Sequence, residues 1–170
     1  IETLSDFLPS QSFEVLIAED GCDDRTPEIA TRLSEENDQI RHIHSDERLG
    51  RGGALSYAFE QARGDVLVYL DTDMATDMRH LEELVEAVRS DGYDIATGSR
   101  WLPESQADRP AKRGIPSLSY NALVRTFLRS NLQDHQCGFK SFDREALDVL
   151  LPAVQDEHWF WDTEVLVKAQ

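Results

Sequence analysis

Short apolar runs alternate with amphipathic stretches along this chain. Phe13–Ala18, Ile40–His44, Asp65–Leu70 and Ile95–Thr97 are rich in β-branched and aromatic residues and read as strands. Three stretches with helical spacing separate them. Thr26 to Asn37 opens with Thr-Pro, a cap hydroxyl and a proline at the first helical position. Gly53 to Arg63 lines up Leu55, Ala58, Phe59 and Ala62, and Arg79 to Ser90 lines up Leu81, Leu84, Val85 and Val88. Strand, helix, strand, helix in this order predicts βαβ units, and so an α/β fold on a mostly parallel sheet flanked by helices. The regularity stops near Trp101. Residues 102–116, rich in Pro, Ser, Asp and Arg, read as a long loop. A helix from Ser117 to Asn131 follows, with Tyr120, Leu123, Val124, Phe127 and Leu128 as its apolar stripe and Arg125 and Arg129 on another face. Phe139–Phe142 reads as a strand, Arg144–Leu151 as a short helix, and the chain ends in helical pattern from Trp159 to Gln170.

With 170 residues and an ordinary apolar fraction, the chain predicts a single domain over 1–170. It opens at Ile1 without a methionine, so it reads as cut from a longer protein. No run of about twenty apolar residues is present. Cys22 and Cys137 lie in unrelated contexts, which suits reduced thiols in a cytoplasmic setting. The formal net charge of −16 argues against nucleic acid as a partner. Strong acidity with only three lysines suits a high-salt cytoplasm. The charge is uneven. From Arg100 to Lys140, seven bases face three acids, so this island is +4 and the remainder of the chain −20. Either the island pairs with the acidic surface, or it receives an anion such as a phosphate or a membrane surface.

The third strand stops on Asp71-Thr-Asp73. Strand alternation puts both carboxylates on one face, at the end of an α/β sheet where ligands bind. Two acids so close repel unless a cation joins them, and Mg²⁺ or Mn²⁺ shared with substrate phosphates is the natural partner; acids capping the next helix would look the same. The first strand ends in Glu19-Asp20-Gly21-Cys22-Asp23-Asp24, placed to accept hydrogen bonds from a nucleotide or simply to make an acidic turn and cap. Gly50-Arg51-Gly52-Gly53 opens a helix as a phosphate-binding loop would, with Arg48 and Arg51 adding charge. It is neither a dinucleotide fingerprint, having Leu55 where the third glycine belongs, nor a P-loop. No Gly-x-Ser-x-Gly or nucleophilic triad is visible. His42 and His44 alternate with Ile43 and read as core or edge histidines rather than metal ligands. Trp159 and Trp161, beside Asp162 and Glu164, read as core or as the wall of a sugar pocket.

Together these segments resemble the family 2 glycosyltransferases of the GT-A (Rossmann-like) fold, and more narrowly the dolichyl- or polyprenyl-phosphate hexose synthases. Val15 to Thr26 resembles a strand followed by Asp-Asp-Gly-Ser-x-Asp-x-Thr, with Glu19 for the first Asp and Cys22 for the Ser. Gly50 to Ala54 resembles Gly-Lys/Arg-Gly-x-Ala, and Gly64 to Asp73 the strand leading to Asp-x-Asp. Ala75-Thr76-Asp77, Gly98-Ser99-Arg100, Asp134-x-Gln136-Cys137-Gly138-Phe139-Lys140 and Trp161-Asp162-x-Glu164 complete the order, over residues 14–166. The family's first strand, ending in Pro-x-Tyr-Asn-Glu, has no counterpart here, and Ala75 stands where some relatives carry a metal-binding Gln.

The resemblance implies an inverting enzyme that moves a hexose from a UDP- or GDP-linked sugar to dolichyl or polyprenyl phosphate, as in protein N-glycosylation. It would work at the cytoplasmic face of the cell membrane. Asp71 and Asp73 would hold Mg²⁺ or Mn²⁺ and, with Asp134 and Asp162, form the catalytic set, Glu164 also lining the sugar pocket. Asp20, Asp24, Arg48, Arg51 and Gly52 would bind the nucleotide, and Arg100, Arg113 and Ser117 the acceptor phosphate. The alternatives are transfer to a sugar hydroxyl in polysaccharide synthesis and, further off, a sugar-phosphate nucleotidylyltransferase.

Overall fold

Side-chain alternation along β3 (Val66–Leu70) places Leu67 and Tyr69 on one face and Val66, Val68 and Leu70 on the other, so this strand divides two apolar cores. The computed structural model describes residues 2–8, 12–71, 76–101 and 111–170. Before β3 come α1 (Glu2–Phe7), β1 (Val15–Asp20), α2 (Thr26–Glu36), β2 (Ile40–Ser45) and α3 (Gly50–Gln61). After it come a 3₁₀ turn (Met78–His80), α4 (Leu81–Arg89), β4 (Ile95–Thr97), α5 (Ala111–Phe127), β5 (Phe139–Asp143), α6 (Arg144–Leu150) and α7 (Trp161–Lys168).

The α/β architecture agrees with the alternating pattern, while the strand pairing is more mixed than βαβ units alone imply. β1 and β2 pair in parallel, with Glu19 opposite His44. β5 runs antiparallel to both neighbours in a sheet of order β3-β5-β4. It enters after the long α5 excursion and fills the space between two strands that the local pattern would have paired directly. Its alternation matches that of β3. Phe142 joins Phe59, Tyr69 and Trp161 in an aromatic core, and Phe139 packs on the α4 side with Leu81 and Leu84.

Three helix starts differ from expectation. Thr26 lies inside α2, and Asp24 caps from outside, its Oδ1 accepting the Thr26 N–H at 2.8 Å. α3 begins at Gly50, because its first-turn donors find partners in the tertiary structure: Gly50 N–H donates to Asp20 Oδ2 (2.9 Å), and Gly52 and Gly53 N–H donate to the Glu157 carbonyl. α5 begins at Ala111 rather than Ser117 and carries Pro116 within it; residues 102–110 of the expected loop lie outside the described residues. The α5 stripe is also not wholly packed. Val124 and Asn121 turn inward, whereas Leu118, Leu123, Phe127 and Leu128 are exposed.

Candidate active site

Tyr69 and Asp71 stand on the same face of β3, two residues apart, so the aromatic core leads directly to an acid at the strand's end. Asp71 rests against Gly138. A Cβ there would come within 2.0 Å of Asp71 Oδ2, so only glycine lets the β5 approach and the carboxylate share the space. Asp71 Oδ1 accepts from Arg51 Nη2 at 3.2 Å. Arg51 Nη1 donates to Asp162 Oδ2, so one guanidinium ties the ends of β3 and α7 together. Arg51 also lies between aromatic faces, its Cζ 5.4 Å from the Tyr69 centroid and 5.3 Å from that of the exposed Trp159.

Beneath this bridge lies Lys140 of β5, with no solvent exposure. Its Nζ donates to Asp162 Oδ1 (2.9 Å), Tyr69 Oη (3.1 Å) and the Cys137 carbonyl (2.5 Å), and Tyr69 Oη donates to Asp162 Oδ1 as well. Burial pushes both members of this pair toward their neutral forms. It carries Lys140 down to about 7 and Asp162 up to about 6, with Arg51 opposing the rise at Asp162.

Arg100 follows β4 and closes on Asp134. Its backbone N–H (3.0 Å), Nε (2.6 Å) and Nη2 (2.6 Å) all donate to that carboxylate. Burial alone would raise the Asp134 pKa, but Arg100's hydrogen bonds and charge outweigh it and hold the acid below its ordinary value. The charge of Asp71 is felt at Arg100, and those of Arg51, Arg100 and Asp134 at Lys140, so these groups share one electrostatic neighbourhood.

Other residues singled out in the sequence fall at varied distances from this cluster. Asp20 anchors the start of α3 through Gly50. Arg48 is exposed, its backbone packed on Gly21, and Asp24 is occupied with its cap. Gly52 packs closely, its N–H taken by the Glu157 carbonyl and its Cα so near Trp161 that a Cβ would meet that side chain at 2.5 Å. Ser117 Oγ is buried with no hydrogen-bond partner. Glu164 turns to the 155–156 backbone, where its Oε2 accepts two N–H groups, and pairs with Lys168. Asp73 and the Arg113 side chain lie outside the described residues. Tyr69 and Lys140 were not nominated as site residues by the sequence. The available signal was a cation inside the apolar strand pattern Phe-Lys-Ser-Phe.

The model of the family "Glycosyl transferase family 2" matches residues 1–151. The chain is 71% identical over 170 residues to the glycosyltransferase AglD of Haloferax volcanii, covering all of this chain and 27% of that protein. It is 32% identical over 168 residues to the dolichyl-phosphate beta-glucosyltransferase ALG5C of Trichomonas vaginalis (95% and 50% covered). To the human dolichyl-phosphate beta-glucosyltransferase it is 30% identical over 171 residues (95% and 53%). The chain thus spans about a quarter to a half of the curated relatives it matches. Among solved structures, glucosyl-3-phosphoglycerate synthase of Mycobacterium tuberculosis, in complex with Mn²⁺, UDP and phosphoglyceric acid, aligns at a TM-score of 0.58 and 18% identity, over 85% of this chain and 49% of that one. That likeness shows a shared fold, and the family match, over most of the chain, shows lineage: the chain belongs to glycosyl transferase family 2.

Proposed function

We propose that the protein transfers a hexose from a nucleotide sugar, UDP- or GDP-linked, to dolichyl or polyprenyl phosphate, with inversion, for glycan assembly such as protein N-glycosylation. The observation that carries this reading is Asp71 at the end of β3, wedged against Gly138 and bridged by Arg51 to Asp162. The names of relatives about 30% identical supply the acceptor class.

A hard divalent cation fits Asp71. The carboxylate is more than half exposed, an oxygen donor at the open end of a sheet, and Asp73 follows two residues on. Bound by these two acids, Mg²⁺ or Mn²⁺ would neutralise charge on the departing nucleoside diphosphate. Asp20 keeps Oδ1 for the nucleotide, its Oδ2 being held by Gly50. Arg51 adds positive charge beside the diphosphate, and Trp159 offers an exposed ring to the sugar.

A phosphomonoester acceptor arrives already ionised and needs positioning more than a base. Its oxygen attacks the anomeric carbon, the bond from that carbon to the diphosphate oxygen breaks, and the nucleoside diphosphate leaves with the electron pair. Ser117, with its buried unpartnered hydroxyl, suits an anionic oxygen, and Arg113 precedes it by one turn of α5. Arg100, largely committed to Asp134, contributes its remaining donors. The exposed Leu118, Leu123, Phe127 and Leu128, with Arg125 and Arg129, suit contact with a membrane surface at the cytoplasmic face. Among the described residues no helix is long and apolar enough to cross a membrane.

Asp162 favours a second reading. A carboxyl raised to about 6 suits a general base, which transfer to a sugar hydroxyl requires. The deciding experiment offers a panel of nucleotide sugars with either dolichyl phosphate or an oligosaccharide, and identifies the product. Product on the lipid phosphate, lost in Arg113→Ala, supports the first reading. Product only on the oligosaccharide refutes it.

A further inference from the structure

β1 and β2 carry a second convergence of polar side chains, on the other sheet from Asp71. Glu19 lies directly opposite His44 in the parallel register, and His42 is two residues back on the same face. A Glu19 carboxylate oxygen, His42 Nε2 and His44 Nδ1 all lie within 4.8 Å of one another. Glu19 Oε1 meets both rings, at 2.9 Å and 2.5 Å. Glu19 itself is only 8% exposed, and its Oε2 is buried without a hydrogen-bond partner. Apart from the Cys22 thiol beside this carboxylate, that oxygen has no donor, which leaves it open to an ion.

The far side of each ring is held as well. His42 Nδ1 is hydrogen-bonded to Thr31 Oγ1 of α2, and His44 Nε2 to Asp46 Oδ1, both at 3.1 Å. These outer partners fix which nitrogen faces Glu19, as they do for histidines that ligate zinc.

We propose that Glu19, His42 and His44 bind one transition-metal ion of the zinc class. Two imidazole nitrogens and one carboxylate oxygen form a donor set such an ion accepts, with one position left open, whereas Mg²⁺ prefers oxygen alone. Bonds of about 2.0–2.1 Å to a tetrahedral ion would hold the ligand atoms about 3.4 Å apart, so the present contacts need open by less than about 1 Å. The ion would replace the direct contacts that Glu19 Oε1 now makes with the two rings. The fourth position falls to water or to Cys22, whose thiol is hydrogen-bonded to Glu19. The site does not depend on the transferase reading.

The test uses purified, untagged protein stripped with EDTA and titrated with Zn²⁺ against a chromophoric chelator. One Zn²⁺ per chain is expected, with affinity at least tenfold lower in Glu19→Gln and stoichiometric uptake lost in His42→Asn/His44→Asn. Asp71→Asn should bind Zn²⁺ as the parent does. No uptake by the parent, uptake that survives the histidine substitutions, or uptake lost with Asp71 would each overturn the site. Where the histidine variants fail to fold, the near-isosteric Glu19→Gln decides by thermal unfolding. Zn²⁺ should raise the Tm of the parent and not of the variant, and an equal rise in both refutes the proposal.

Discussion

Arg100 and Asp134 meet as a closed fork, with three N–H groups on one fully buried carboxylate. Arg51 instead spans two acids, one exposed at the end of β3 and one buried at the start of α7, and a buried lysine competes for the latter. The side chains are of the same kind, yet the aspartates shift in opposite directions. Asp134 is held down because its arginine satisfies it completely, while Asp162 is pushed up because burial outweighs a shared partner. The first pair is a structural clamp between the residues after β4 and those before β5. The second is shared among several charged groups and reaches the surface at Asp71.

Breaking each pair should give different losses. Arg51→Met should lower kcat about 10²–10³-fold with a small change in Tm, since it strips charge stabilisation from the site. Asp134→Ala should instead cost about 3 kcal/mol of unfolding free energy, because it leaves Arg100 half-buried and unpaired; denaturant titration measures it. If Asp134→Ala folded as stably as the parent, the clamp reading would fail.

Gly138→Ala tests the wedge. The new methyl must displace Asp71, so the Mn²⁺ concentration for half-maximal activity should rise about tenfold or more while the strands persist.

The pairs should also separate by pH. Asp162 has a folded pKa of about 6, above its ordinary 3.8. Its ionised form, the one that holds Arg51, therefore fills only as pH rises through 6, and kcat should fall below that pH in the parent. Asp162→Asn should flatten that limb. For stability the sign reverses between the two acids. The raised Asp162 pKa weakens folding as pH rises from 3.8 to 6. The lowered Asp134 pKa stabilises folding above 3.8, and that contribution is lost as pH falls through its folded value.

The smallest effect concerns α5. Phe127→Ser should change stability by no more than about 0.5 kcal/mol, since the ring is 76% exposed, while weakening binding to anionic vesicles in a sedimentation assay.

Much of the site could be read in advance where a residue's role is set by its own strand or turn. Asp71 at a strand end, Asp162 after three aromatic residues, and a glycine-rich helix start were all visible as local patterns. Lys140 was visible only as one base in a charged island, because nothing adjacent to it in sequence shows that Asp162 and Tyr69 come to meet it. His42 and His44 read as ordinary strand residues for the same reason, since Glu19 lies more than twenty residues earlier and only parallel pairing sets it opposite them.

The sequence by itself determined the alternation of strands and helices, the acids at strand ends and the acidic surface, because periodicity, turn chemistry and charge act over a few residues. Tertiary structure decided that β5 would run backwards between β3 and β4, that Arg51 would bridge Asp71 and Asp162, and that Arg100 would be claimed by Asp134. Those outcomes depend on desolvation and on which partner arrives within about 3 Å, and both are properties of packed segments distant along the chain.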